Sequence, residues 1–90
     1  MIDMDKMLAE RKKQHGDFGV HAEATQALKT VLYSYYEEHH TPIHREALET
    51  IVHKIGRILT GNPNHCDHWD DIAGYAKITS DRIPEYQRHD

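Results

Sequence analysis

Two acidic side chains, Glu46 and Glu49, stand three residues apart, and three more, Asp67, Asp70 and Asp71, follow in a tight run. Carboxylates at i and i+3 on a helix share a face. Such a pair suits a hard divalent cation such as Mg²⁺, which takes oxygen ligands and keeps several waters. Aspartates at a helix start have a second reading, since acidic groups there cap the helix and complement its dipole. Between the groups lie Lys54 and Arg57, with His53 beside them. These are the ligand-contacting candidates. Lys54 and Arg57 can grip phosphate or pair with the aspartates, and Arg57 suits a bidentate carboxylate contact. Lys12 and Lys13 read as solvated charges.

A third group is "HCDH", His65 to His68, with His53 one helix away. Cysteine and histidine are zinc ligands. One cysteine in this spacing is weak support for such a site, and the histidines read as surface or capping residues. A Cys–His nucleophile pair lacks a recognisable orienting group or oxyanion hole. Tyr33, Tyr35 and Tyr36 read as parts of a core or an oligomer interface rather than as a stacking platform.

The elements that must position these groups are helical. Apolar residues recur at three- and four-residue spacing, and no alternating strand pattern bounded by hairpin turns appears. The expected architecture is all-α: a single domain over 1–90 with three main helices, a short helix within 1–15, and a frayed tail from 84. The first helix spans about Asp3 to Gln14. "HGDFG", His15 to Gly19, reads as a turn anchored by Phe18.

The second helix spans about Val20 to His39, with Val20, Ala24, Ala27, Leu28, Val31 and Tyr35 facing the core. Thr41 and Pro42 form a start signal for the third. It is expected over Pro42 to Thr60 and closed by Gly61. Leu48, Ile51, Val52, Ile55, Ile58 and Leu59 form its apolar stripe, opposite Glu46, Glu49, Thr50, His53 and Arg57. The fourth is capped by Asn64 or Asp67 and continues to about Arg82. Trp69, Ile72, Ala73, Ala76 and Ile83 form its packing face. The third and fourth helices form a hairpin around "NPNHCD". In a hairpin, Glu46 and the aspartates sit at opposite ends, at least about 20 Å apart at the helical rise. A steep crossing or a second subunit must close that gap if they share an ion.

The chain has 90 residues, 38% hydrophobic, with five tyrosines and one tryptophan. So small a core favours self-association, and a homo-oligomer is expected. The formal charge of −4, with nine histidines counted neutral, argues against general nucleic-acid binding. The single cysteine excludes an intrachain disulfide and fits a reducing compartment. No apolar run reaches membrane-spanning length, and the N-terminus lacks the order of a signal peptide. A cytoplasmic, soluble protein with no membrane partner is expected.

"ERKKQHGDF", "EALETIVHKIGRIL" and "GNPNHCDHWDDIAGYA" together resemble a family of small helical proteins of bacteriophages and prophages. The resemblance covers about Glu10 to Ala76. That group is distantly similar to the MazG-like all-α nucleoside triphosphate pyrophosphohydrolases. Their E-E-x-x-E and E-x-x-D motifs hold Mg²⁺, which activates water against a nucleoside triphosphate and releases pyrophosphate. The resemblance implies that Glu46 and Glu49 are the catalytic carboxylates and metal ligands. Asp67 and Asp70 complete the set, with Asp71 competing for the last place. Arg45 stands where the first glutamate would be.

The implied function is a nucleotide-interacting protein of phage type, a Mg²⁺-dependent pyrophosphohydrolase in its catalytic form and placed in the host cytoplasm. The alternative is a non-catalytic anti-defence protein. It would sequester a nucleotide or cyclic nucleotide signal, or inhibit a host defence protein.

Overall fold

A computed structural model describes residues 3–84. Four helices run through them, with no strand among the described residues: α1 Met4–His15, α2 Phe18–Tyr35, α3 Pro42–Thr60 and α4 Cys66–Ser80. The central helix is α3. It packs along α2 on one side and α4 on the other, while α1 touches α2 and α3 more lightly. The expected α3–α4 hairpin is present. Among the described residues no helix is long and apolar enough to cross a membrane. The expectation of a frayed tail falls, beyond Pro84, outside the described residues.

The helix ends follow from local chemistry. Asp3 accepts the Lys6 backbone N–H at 3.1 Å and starts α1. Asp17 accepts the Val20 N–H at 3.1 Å and starts α2 at Phe18, two residues earlier than apolar periodicity indicates. The "HGDFG" turn thus shrinks to Gly16 and Asp17. α2 also stops sooner than expected, at Tyr35. The Arg45 side chain reaches back to the carbonyls of His40 (2.7 Å) and Glu37 (3.1 Å), which holds the connecting loop against α3. Thr41 and Pro42 start α3 as expected, with His44 Nδ1 accepting the Thr41 N–H at 3.0 Å. His65, rather than Asn64 or Asp67, is the cap residue of α4.

The faces differ more. On α2 the buried residues are His21 and Thr25, while Val20, Val31 and Tyr35 point to solvent. The expected stripe is therefore rotated by about one residue. The cause is Gly56 on α3. A Cβ there would collide with Thr25 Oγ1 and come within 3.2 Å of His21, so glycine lets α2 approach closely and its small polar residues take the contact. On α4, His68 is buried while Trp69 is 54% exposed and Ala73 and Ala76 are exposed. Phe18, expected as an anchor, is 77% exposed. Along α3, Ala47, Val52 and Gly56 are buried, and Leu48 and Leu59 are exposed. Among the described residues only Ala47 and Val52 are buried hydrophobics.

Candidate functional site

Two chain connections, the α1–α2 turn and the α3–α4 loop, meet at the C-terminal end of α3. Gly16 ends α1 with φ +80, a conformation that glycine adopts without steric cost. A Cβ at Gly16 would collide with the Thr60 carbonyl, and one at Gly61 would lie 2.5 Å from the His15 carbonyl carbon. The two backbones therefore touch through glycines. Asn62 fastens the junction. Its N–H donates to the Gln14 carbonyl at 3.1 Å, and its side-chain amide donates to Gln14 Oε1 at 3.1 Å. Its own Oδ1 accepts the Asn64 N–H at 2.9 Å. Trp69 braces the same loop, its indole N–H donating to the Pro63 carbonyl at 2.8 Å.

This junction creates a pocket of about 340 Å³ between α1, α2 and α3. It is lined by Leu8, Arg11, Lys12, His15, Gly16, Phe18, His21 and Arg57. Its charged residues are all cationic. Among the described residues no carboxylate pairs with Arg11, Lys12 or Arg57. Burial first, and then the charge of Arg11, pushes the Arg57 pKa below its ordinary value. Arg57 Nε donates to His53 Nε2 at 3.2 Å, which requires a neutral His53 ring. The His53 pKa is accordingly lowered to about 4, by burial and then by Arg57. His21 lies edge-on to His53 with ring centroids 4.7 Å apart, and its pKa is also lowered, chiefly by burial. Arg57 thus keeps most of its donors free, backed by neutral rings. An exposed Phe18 face stands at the rim. Cations beside an aromatic ring can hold phosphate and stack a base.

Behind the pocket lies a cluster of imidazoles. His15, His65 and His68 each offer one nitrogen, all within 4.8 Å of one another. His15 Nδ1 and His68 Nε2 are 3.2 Å apart. His68 is 1% exposed, and its Nδ1 has no partner of hydrogen-bond geometry. The His68 pKa is lowered, first by burial and then by His65, with the Gln14 backbone offsetting part of the shift. The His15 pKa is lowered to about 4, first by burial and then by Arg57. The expectation that these histidines are surface or capping groups is corrected for His68, which is interior. His65 does hold the cap position, but its side chain makes no capping bond.

The acidic candidates are elsewhere. Glu46, Glu49 and His53 line a shallow depression of about 210 Å³ with Lys29 and Thr50, between α2 and α3. Glu49 accepts the hydroxyls of Tyr33 (3.1 Å) and Tyr36 (3.2 Å). Asp71 pairs with Lys54 at 2.9 Å, and that contact holds its carboxyl below the usual range. Lys54, not Arg57, thus makes the cross-hairpin pair. Asp67 and Asp70 group with Cys66 on the exposed first turn of α4. Among the described residues, no three of the five carboxylates come within the reach of one ion. Arg45, at the place of the missing glutamate, stacks over the Tyr36 ring at 4.7 Å and ties down the loop.

Of the residues lining this pocket, sequence reasoning singled out Arg57 and not Arg11, Lys12, His15, Phe18 or His21. The available signal was the paired glycines of "HGDF" and "LTGN", which mark places where backbones approach closely. Compared with protein-family models, curated proteins and solved structures, the chain matches none significantly.

Proposed function

We propose that the chain binds a phosphorylated, nucleotide-like ligand in the pocket between α1, α2 and α3. The observation that carries this reading is a concave site whose charged residues, Arg11, Lys12 and Arg57, are all cationic and lack carboxylate partners. Arg57 and Arg11 supply fork-shaped donors for phosphate oxygens. Phe18, with its ring exposed, offers a surface for the base. The size of the pocket, about 340 Å³, lies at the lower end of small-molecule sites.

Binding without turnover is the favoured form, because the carboxylates of one chain lie apart. A Mg²⁺-dependent pyrophosphohydrolase remains the second form. It needs Glu46 and Glu49 of one chain to meet Asp67, Asp70 or Asp71 of another. Self-association belongs to that form, and the scarcity of buried apolar side chains supports it. Either form is compatible with a phage protein that captures a nucleotide signal.

Calorimetry with nucleoside mono-, di- and triphosphates, with and without Mg²⁺, tests the proposal. Saturable binding that weakens in Arg57→Gln is the expected result. No binding to any nucleotide sinks it. Pyrophosphate release that disappears in Glu49→Ala moves the reading to the enzyme, and sedimentation of the same samples reports the oligomer.

A further inference from the structure

We propose that His15, His65 and His68 form a three-imidazole site for a late first-row divalent cation of the zinc class. The site shares His15 with the wall of the ligand pocket, but the inference does not depend on a ligand being bound there.

Three observations lead there. The first is convergence from distant places in the chain: His15 ends α1, His65 caps α4, and His68 lies one turn further on. Ring centroids are 5.5 Å apart for His15 and His65, 5.0 Å for His15 and His68, and 4.7 Å for His65 and His68. The second is spacing. Zinc–imidazole bonds of about 2.0–2.1 Å in a tetrahedron set ligand nitrogens roughly 3.3–3.4 Å apart. The 3.2 Å between His15 Nδ1 and His68 Nε2 is close to that edge, and the third nitrogen is within 4.8 Å. The third is His68 itself, 1% exposed with an unpartnered Nδ1. A metal on Nε2 fixes the proton on Nδ1. The Gln14 backbone, which offsets part of the lowering of the His68 pKa, lies on the α1 side of this ring. Ligating histidines are commonly oriented by a backbone carbonyl.

The donor set selects the ion. Neutral imidazoles suit Zn²⁺, Co²⁺, Ni²⁺ and Cu²⁺, whereas Mg²⁺ and Ca²⁺ require oxygen. The site is therefore different in kind from the carboxylate site that the sequence resemblance implies. Three protein ligands leave a fourth position for water or a ligand atom. Access runs along a groove of about 530 Å³ beside α1, lined in part by Gln14, His15 and His65. Arg57 and Lys54 act on the cluster as positive charges and oppose a bare dication. Asp67, 3.6 Å from His65 Nε2, offsets part of that repulsion. The exposed Cys66, Asp67 and Asp70 group beside it lacks any buried ligand.

The test is titration of the full chain with Co²⁺ and Zn²⁺ in metal-free buffer. The expected result is one Co²⁺ per chain with the intense visible bands of tetrahedral coordination, displaced by Zn²⁺. His15→Gln and His65→Gln, each at a helix end, weaken binding by more than the roughly 10–100-fold that disturbing a supporting residue costs. A His39→Gln/His40→Gln double variant, whose rings lie together in the α2–α3 loop, binds like the parent. Circular dichroism confirms the helices of each variant. A Co²⁺ spectrum that stays octahedral overturns the site, and so does binding lost only in the His39/His40 variant. Equal binding by the parent and both single variants also overturns it and leaves the three rings as hydrogen-bonding partners only.

Discussion

The two ends of α3 carry opposite kinds of polar chemistry. At its N-terminal half, Glu49 accepts two tyrosine hydroxyls, and Arg45 is spent on loop carbonyls and the Tyr36 ring. At its C-terminal half, Arg57 meets a single neutral imidazole and faces open space with Arg11 and Lys12. Both ends hold charged residues, but Glu49 and Arg45 are engaged within the chain whereas Arg57 keeps most of its donors open. A charge already satisfied within the chain stabilises the fold. A charge held in place with its donors open is ready for something else. This difference is why the proposed ligand is placed at the C-terminal end, although residue types alone draw attention to the glutamates.

The contrast breaks most severely if the C-terminal junction opens. Gly56→Val drives a side chain into Thr25 and His21. Overpacking of this kind costs about 1–3 kcal/mol, or roughly 4–8 °C in Tm per kcal/mol for a domain this small. Gly16→Ala adds backbone strain of about 1–3 kcal/mol and a clash with Thr60 that lifts α1 away. Thermal melts by circular dichroism measure both. An unchanged Tm in Gly16→Ala would show that α1 does not dock as described.

The next test sharpens the contrast without unfolding anything. Arg57→Gln removes charged hydrogen bonds worth about 1.5–3 kcal/mol each, so nucleotide affinity should fall by roughly 10–100-fold. Glu49→Gln should leave it within about twofold of the parent, an interval of only some 0.4 kcal/mol. Equal losses in the two variants would erase the distinction between the ends.

The pH response is smaller and has a fixed sign. The folded pKa of His53 is about 4, below its ordinary 6.5, so the folded state binds fewer protons than the unfolded state between those values. Its contribution to stability is complete above pH 6.5 and is lost as pH falls toward 4. Urea denaturation at pH 7.0, 5.5 and 4.5 should show a declining midpoint, with a shallower decline in His53→Asn. A midpoint that is flat across the series contradicts the neutral His53–Arg57 contact. The smallest effect belongs to Tyr33→Phe. It removes one exposed hydrogen bond to Glu49, and the urea midpoint should move less than in any other variant here.

Helix α3 was legible to the residue because its boundaries are written locally: Thr41 and Pro42 open it and Gly61 closes it. The start of α2 was equally local, since Asp17 is a capping residue, but the apolar pattern drew attention to Val20 instead. The inward faces were not legible. Periodicity assumes that apolar residues point inward, whereas here a buried glycine favours histidine and threonine on the neighbouring helix. The imidazole cluster was hidden by distance, since His15 and His68 meet across 53 positions. "HCDH" by itself contains only two of its members. The cationic pocket was hidden in the same way, with Arg11 and Arg57 brought together by the Gly16–Gly61 contact rather than by any shared motif.

The indole of Trp69 donates to the Pro63 carbonyl while half its surface faces water, and it is the only tryptophan in the chain. A fluorophore on the first turn of α4 is thereby fastened to the loop between α3 and α4. The same few residues carry Asn62, which clasps α1, and His65, which belongs to the imidazole cluster. Emission from this one ring therefore reads out the loop on which both arrangements depend. Undocking of α1 or entry of a cation becomes visible in the unlabelled protein as a change in colour and intensity of light.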